Sequence, residues 1–325
     1  MTSVALGKES LFLASPHVSF LALAQSLRIP HTPCSKSSMV AIKTPFTDLR
    51  VLADALDKSP TSDAIKLTSA STSWKSPTHE NEDRSLVHYG DRYSLFAVMD
   101  GHGGALASEY VKTHLVGVID EQSEITKATL EAAVATLEAR FNQIAADASD
   151  YSGACFVALL VLQDGSHRRF VLNLGDCRIA ALEVSPQAHP KRQVHALSTD
   201  HKASCPLEKR RILVAGGSVV GGRVAGVLAP SRSIGDIDMK VKGMEGWVVA
   251  LPEISEGKIA RNSIYVLATD GVWDVLSNDE VLDIAEDVLD DEYEKNCQRA
   301  SDAIAKEAVE RGSRDDITAI VIRTS

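Results

Sequence analysis

The sequence has few cysteines and no excess of basic charge. Its five cysteines are scattered over 325 residues, without the density of a disulfide framework or the paired spacing of a metal site. We therefore expect a reducing compartment, the cytoplasm, with the nucleus as an alternative. Lys and Arg number 34 against 44 Asp and Glu, which gives a formal net charge of −10. Because an acidic chain has no general attraction to a phosphate backbone, we expect no nucleic-acid partner.

A long apolar run is also missing. Residues 4–29 are rich in Leu, Ala, Val and Phe. Lys8, Glu9 and Pro16 interrupt this stretch well before the roughly 18 to 20 apolar residues that a spanning helix needs. The sequence therefore predicts no membrane span. A cleaved targeting peptide at the start of the chain stays open as an alternative.

The chain is expected to divide into an N-terminal extension, residues 1–63, and one large domain, residues 64–325. Prolines and a Ser/Lys cluster in residues 30–47 indicate an irregular connector. A short helix is predicted after it, ending near Lys58.

The large domain is predicted to mix strands and helices. Short apolar runs rich in branched residues indicate buried strands at Tyr93–Met99, Ala154–Leu162, Phe170–Leu174, Arg178–Val184, Ile264–Ala268 and Ile317–Arg323. Longer amphipathic stretches predict helices at Ala105–Ile119, Glu124–Ala146, Asn278–Leu289 and Tyr293–Gly312. Grouped strands and paired helices favour an α+β fold with two packed sheets and helices outside.

Two local patterns add to this. Ser277 followed by Glu280 is a capping box and predicts where a helix begins. The stretch Ala215–Gly246 is rich in glycine and in charges, and we expect a mobile surface segment near a site.

Four aspartates adjoin the predicted strands. Asp100, Asp176 and Asp270 follow three of the apolar runs, and Asp315 stands just before a fourth. Carboxylates placed in this way can converge at one sheet edge, where their mutual repulsion calls for cations. Oxygen ligands suit Mg²⁺ or Mn²⁺, and two such ions about 4 Å apart can bridge a water and activate it for attack on phosphorus. The pattern therefore indicates metal-assisted hydrolysis of a phosphate monoester.

Two other phosphate-binding motifs are alternatives to the metal site. Gly101 and Gly103 follow a strand, as in a dinucleotide-binding turn, but the third small residue of that motif would be Leu106. Cys205 and Arg211 have the spacing of a cysteine-dependent phosphatase, but a proline and a glutamate between them do not suit a loop that binds phosphate through its amides. Both alternatives are disfavoured.

A set of short motifs runs in order through the large domain. They are Glu82-Asp83, Asp100–Gly104, Gly175–Arg178, Thr199–Lys202, Arg211-Ile212, Ala215–Gly217, Arg223-Val224, Leu228–Asp236, Ala268–Val275 and Gly312–Thr318. In order and spacing these motifs resemble the metal-dependent protein phosphatase family, called PPM or protein phosphatase 2C. The resemblance implies a central sandwich of two antiparallel β-sheets flanked by helix pairs, with metals at one end. It also implies hydrolysis of phosphoserine and phosphothreonine in phosphoprotein substrates, and we expect a monomer.

The resemblance also implies a role for each matching residue. The expected ligands of two Mg²⁺ or Mn²⁺ ions are Glu82, Asp100, the Gly101 carbonyl, Asp270 and Asp315. Asp83 and Asp274 are expected to hold metal-bound waters, and Asp176 to join Asp270 at a weaker third ion. His102 matches the proposed general acid, which protonates the departing Ser or Thr oxygen while the metal-bridging water attacks.

One departure from the family pattern affects substrate binding. The family usually has a phosphate-gripping arginine four residues before Glu82, where this chain has Thr78. Lys75 or Arg84 is the predicted replacement. A second departure is Asp316, which stands where the family commonly has asparagine.

Two other functions stay open. A catalytically idle scaffold would fit Thr78 and the extension, although its clustered carboxylates would destabilise an empty site. A phosphatase that acts on a small phosphorylated metabolite would use the same metal chemistry.

Overall fold

The computed structural model describes residues 65–184, 192–289 and 293–325. The strands in these ranges are β1 Leu67–Trp74, β2 Arg84–Tyr89, β3 Tyr93–His102, β4 Gly153–Leu162, β5 Arg168–Leu174, β6 Arg178–Val184, β7 Arg192–Ala196, β8 Val219–Val220, β9 Arg223–Val224, β10 Ile234–Gly235, β11 Glu253–Lys258, β12 Ile264–Ala268 and β13 Ile317–Thr324. The helices are α1 Leu106–Asp120, α2 Lys127–Ala148, α3 Pro206–Val214, α4 Asp270–Trp273, α5 Asn278–Val288 and α6 Tyr293–Glu310, with a 3-10 turn at Ile237–Lys240. The predicted connector and the helix ending near Lys58 lie outside the described residues.

Two antiparallel sheets form the centre of the fold. One sheet has the strand order β1-β13-β12-β6-β7, and the other has the order β11-β5-β4-β3-β2 with β10 paired to β4. Helices α1 and α2 pack on the second sheet, while α5 and α6 pack on the first. The predicted α+β sandwich flanked by helix pairs is confirmed.

Strand β3 shows why the buried strands could be recognised. Its side chains alternate between two apolar layers, because neighbouring residues of a strand point to opposite faces. Leu95, Ala97 and Met99 pack against the helices. Phe96 and Val98 pack against the other sheet. A strand buried on both faces is apolar throughout, which is the pattern seen in the sequence.

The strands and helices predicted within residues 93–323 all occur, with ends that differ by three residues or fewer. The capping box is also present: the Ser277 hydroxyl accepts from the Glu280 amide, and the Glu280 carboxylate accepts from the Ser277 amide. Strands β1, β2, β7 and β11 and helix α3 were not predicted. Strand β1 consists mainly of Ser and Thr, and Ile254 is the one large apolar residue of β11, so neither strand carries an apolar run.

The glycine-rich stretch Ala215–Gly246 contains a small hairpin of β8 and β9 and then β10. Val224 anchors it in a small apolar cluster with Ala203, Ile212 and Val248. The segment between β9 and β10 runs beside the cavity described next, as expected for a segment near a site. Among the described helices, none is long and apolar enough to cross a membrane.

Candidate functional site

A cavity of about 220 Å³ lies where the two sheets meet the segment between β9 and β10. It is lined by His79, Glu82, Asp100, Gly101, His102, Cys155, Asp176, Arg223, Leu228, Ala229, Pro230, Asp270 and Asp315. The predicted metal ligands therefore come together with the predicted general acid and with Asp176.

Three carboxylates form the centre of this cavity. One oxygen each from Asp100, Asp176 and Asp270 lies within 4.8 Å of the others. Asp100 stands on β3 of one sheet, whereas Asp270 begins α4 directly after β12 of the other sheet. The cluster therefore lies where the two sheets of the sandwich meet.

The electrostatics of this cluster favour a bound cation. Burial, followed by the charge of Asp270, raises the pKa of Asp100 well above its usual range. Burial, followed by the charges of Asp176 and Asp274, raises the pKa of Asp270 to about 8. The buried Oδ2 of Asp176 accepts no hydrogen bond from the described residues, and the Lys202 ammonium lies 4.0 Å from it. Divalent cations would satisfy these oxygens, so the residues present fit a metal centre.

Glu82 and Gly101 meet at the wall of the cavity. The Ser108 hydroxyl donates a hydrogen bond of 2.5 Å to the Glu82 carbonyl oxygen. A side chain at Gly101 would collide with that same oxygen. Glycine is therefore required where the two backbones approach, and this approach places Glu82 beside Asp100.

Asp316 positions the Glu82 segment from the opposite sheet. Its carboxylate accepts hydrogen bonds from the Ser76 amide at 2.6 Å and from the Glu82 amide at 2.7 Å. A carboxylate has acceptors for both amides, whereas an asparagine side chain has one oxygen. The departure from the family's asparagine therefore suits the local hydrogen bonding.

Asp83 and Asp274 lie beside the cavity rather than in its lining. Asp83 is buried and accepts a hydrogen bond of 2.9 Å from the Thr269 hydroxyl, and burial is the main cause that raises its pKa to about 7. Asp274 is exposed and forms an ion pair of 2.5 Å with Lys202. Lys202 belongs to the Thr199–Lys202 motif, but no sequence pattern predicts this ion pair.

His102 has a defined partner. Its Nε2 lies 2.9 Å from Oδ1 and 3.0 Å from Oδ2 of Asp236. Burial lowers the pKa of His102, but the hydrogen bond and charge of Asp236 outweigh burial and leave that pKa raised. Asp236 ends the Leu228–Asp236 motif, but the sequence assigns it no role, because nothing in the sequence indicates that it contacts His102.

The two predicted phosphate-binding residues lie elsewhere. Lys75 forms an exposed ion pair of 2.6 Å with Glu80. Arg84 is bonded to Glu109 and to the carbonyl oxygens of Asn81 and Asp83. Neither residue lines the cavity.

Arg223 and His79 do line the cavity. The Nη1 of Arg223 donates to the Val227 carbonyl oxygen at 2.9 Å. In the sequence, Arg223 belongs to the Arg223-Val224 motif and to the glycine-rich segment, but neither pattern assigns it a role.

The competing motifs are excluded by their local structure. Gly101 is still part of β3, and two helices separate β3 from its antiparallel neighbour β4, so the parallel strand–helix–strand unit of a dinucleotide site is absent from this described segment. Arg211 lies within α3 and forms an ion pair with Glu208 on the same helix, so Cys205–Arg211 is not a phosphate-binding loop.

Residues 64–317 match the family model described as Protein phosphatase 2C. The chain belongs to this phosphatase family. The resemblance seen in the motifs is thereby confirmed, and the family is metal-dependent.

Individual comparisons agree with this assignment. The chain is similar to probable protein phosphatase 2C 11 of Arabidopsis thaliana, with 35% identity over 241 residues that cover 72% of this chain. It spans 59% of the length of that relative. The solved serine-threonine phosphatase 2C of Toxoplasma gondii shares the fold, with a TM-score of 0.65, 23% identity and coverage of 79% of this chain and 94% of the other.

Proposed function

We propose that this protein phosphatase 2C domain hydrolyses phosphoserine and phosphothreonine in proteins in a reaction that depends on Mg²⁺ or Mn²⁺. The observation that carries the proposal is the cluster of Asp100, Asp176 and Asp270 within 4.8 Å, in one cavity with the other expected ligands. Family membership supports protein substrates. Residues 64–325 are proposed to be the catalytic domain and residues 1–63 an extension.

The ligand set supports two ions. Asp100, Asp270 and Asp315 are proposed to hold one ion, and Glu82, Asp100 and the Gly101 carbonyl the other, with Asp176 available to a weaker third. When bound, these cations would supply Lewis acidity toward the phosphate and toward the attacking water.

The remaining residues of the cavity act on the substrate and its leaving group. His102 is proposed as the general acid that protonates the departing Ser or Thr oxygen. Arg223 is proposed to bind the phosphate oxygens, because it lines the cavity and a guanidinium can donate two parallel hydrogen bonds to phosphate.

A catalytically idle scaffold is the main competing function. Three carboxylates with oxygens within 4.8 Å of one another destabilise a fold that does not use them, because unpaired charges repel in a partly buried site. The cluster therefore favours an active enzyme. A metabolite phosphatase would use the same residues, and protein substrates are preferred because of the family.

The test is hydrolysis of a phosphothreonine peptide by the full chain with Mn²⁺, with a chelator, and after Asp100→Asn or Asp270→Asn. We expect turnover with Mn²⁺, none with chelator, and a loss of at least about 100-fold in kcat for each variant. Activity that survives both chelation and substitution would refute the metal mechanism. A protein without turnover in any divalent ion would be the scaffold, and turnover of sugar or nucleotide phosphates alone would indicate the metabolite enzyme.

A further inference from the structure

Asp236 is the nearest polar partner of the proposed general acid, although it follows His102 by more than a hundred residues. Both of its carboxylate oxygens lie within 3.0 Å of His102 Nε2. The Asp236 side chain is 6% exposed, against 27% for His102. One ring nitrogen of the histidine is therefore held against the protein, while the histidine itself lines the cavity.

The backbone at Asp236 is unfavourable and is held in place by its neighbours. Its φ of 49° and ψ of 46° lie in the left-handed region, which costs an L residue about 1 kcal/mol. The Asp236 amide donates to the Ser152 carbonyl oxygen at 3.1 Å, and the adjacent Gly235 pairs with Gly153 of β4. A strained residue that the surroundings keep fixed points to a use for its side chain.

Gly153 provides the space in which the two side chains meet. A Cβ at this position would collide with His102 Nε2 and with the Asp236 carboxylate. The Ser233 hydroxyl also donates to Asp236 Oδ2, so the carboxylate is held from a second side. Asp236 is thus fixed by backbone and side-chain contacts before any substrate binds.

We propose that Asp236 is a positioning residue: it binds His102 Nε2 and leaves Nδ1 to face the oxygen of the departing Ser or Thr. The inference rests on the proposed phosphatase function. A carboxylate only accepts hydrogen bonds, so Asp236 fixes Nε2 as a donor and sets the orientation of the ring.

This orientation of the ring serves the protonation of the leaving group. The Nδ1 proton passes to the leaving oxygen as its bond to phosphorus breaks, and the water oxygen bonds to phosphorus. The proton that the water releases returns to the imidazole through solvent. The products are the free Ser or Thr hydroxyl and hydrogen phosphate.

The leaving group of the substrate provides the test. A serine or threonine alkoxide is strongly basic and needs a proton to depart, whereas p-nitrophenolate is a stable anion and needs none. In the Asp236→Asn variant with Mn²⁺, we expect kcat for a phosphothreonine peptide to fall about 10- to 100-fold. We expect kcat for p-nitrophenyl phosphate to change by less than about threefold, and KM for the peptide to stay within about threefold.

Asp238→Asn is the matched control, because Asp238 is an exposed aspartate of the same segment. We expect this variant to leave kcat unchanged for both substrates. Ser233→Ala removes one donor to Asp236 while keeping the carboxylate, and should lower peptide turnover selectively by about 3- to 10-fold. This variant also carries the test if Asp236→Asn does not fold, which thermal melting will show.

Equal losses on both substrates would assign Asp236 a structural role and overturn the inference, and so would an absence of loss on the peptide. In both cases an active wild-type protein leaves the proposed function intact. A wild-type protein that hydrolyses neither substrate would overturn the proposed function and this inference together.

Discussion

Arg223 is the residue that we propose to bind phosphate in place of the arginine expected at Thr78. No arginine from the segment before Glu82 lines the cavity, whereas Arg223 of β9 does. A phosphate group carries two negative charges and several acceptor oxygens, which the planar fork of arginine matches better than the point charge of lysine. We therefore propose Arg223, rather than Lys75 or Arg84, as the residue that binds the phosphate group.

The role of Arg223 predicts a defect in substrate binding. In Arg223→Ala we expect KM for a phosphothreonine peptide to rise about 10- to 100-fold, because a charge-assisted hydrogen bond contributes about 1.5 to 3 kcal/mol. Arg223→Lys should recover only part of the loss. Steady-state kinetics with Mn²⁺ at saturation measures both.

Lys75→Ala is the control for this prediction. Lys75 is ion-paired with Glu80 away from the cavity, so its removal should leave KM within about twofold. A raised KM for Lys75→Ala together with an unchanged KM for Arg223→Ala would contradict the role proposed for Arg223. That result would favour Lys75 as the phosphate-binding residue, as predicted from the sequence.

At the scale of elements, Glu208 ties helix α3 to the segment that runs beside the cavity. Its carboxylate accepts from Arg232 at 2.6 Å, from the Ser231 hydroxyl at 2.7 Å and from Arg211 at 3.1 Å. Burial raises the pKa of Glu208, but the bonds to Arg232 and Ser231 outweigh burial and lower that pKa to about 2. The ion pair is therefore intact throughout the neutral range.

Glu208→Gln should destabilise the protein by about 2 to 4 kcal/mol at pH 7, because it removes a buried charge and leaves the partly buried guanidinium groups of Arg211 and Arg232 without their charge partner. The pKa of the folded state lies below that of the unfolded chain, so this contribution is present above about pH 4.5 and is lost as the pH falls toward 2. Denaturant unfolding of both proteins at pH 7 and pH 3.5 measures it. The difference between them should shrink at the lower pH.

The exposed pair of Glu121 and Arg140 provides the comparison. It has similar geometry, with distances of 2.8 and 2.9 Å, but both side chains are about half exposed. Glu121→Gln should therefore change the free energy of unfolding much less than Glu208→Gln does, because solvent screens the exposed pair. Equal effects of the two substitutions would show that burial does not determine the strength of the Glu208 contacts.

The same elements show how far the sequence predicts this structure. Strand β3 was predicted because both of its faces are buried and its residues are apolar throughout. Strand β1 was missed because its hydroxyl-bearing residues carry no apolar pattern, and its place in the sheet is set by pairing with β13. The carboxylates were found because each adjoins an apolar run. Arg223 stands on β9, and Asp236 follows β10 directly. Their positions at the site depend on how the chain runs from β9 to β10, which no local pattern of residues specifies.

On the scale of the whole molecule, the carboxylate cluster opposes the packing of one sheet on the other. Asp100 comes from one sheet, while Asp270 and Asp315 adjoin strands of the other. Without cations, their repulsion acts across the join between the sheets. A bound divalent ion would turn the same oxygens into a link between the two halves.

This arrangement predicts a stability that depends jointly on metal and pH. Burial is the main cause that raises the pKa of Asp270 to about 8 from its ordinary value of 3.8. Between these values the folded chain keeps a proton that the unfolded chain has released, so the stability of the metal-free protein falls as the pH rises. We expect its melting temperature to drop by at least about 3 °C between pH 6 and pH 8. Mn²⁺ competes with that proton, so the rise in melting temperature that saturating Mn²⁺ produces should be larger at pH 8 than at pH 6.

Asp270→Asn separates this effect from the titration of other groups. The variant removes the carboxylate that must lose its proton, so the metal-free protein should melt at a more nearly constant temperature across the same pH range, and Mn²⁺ should stabilise it less. Asp279→Asn, at an exposed aspartate in the first turn of α5, should behave as the wild type does. If Mn²⁺ stabilised the wild type equally at both pH values, the cluster would not be the place where metal binding and folding are coupled. If Mn²⁺ raises the melting temperature more at pH 8 than at pH 6, and this difference disappears in Asp270→Asn, metal binding and folding are coupled at the carboxylates where the two sheets meet.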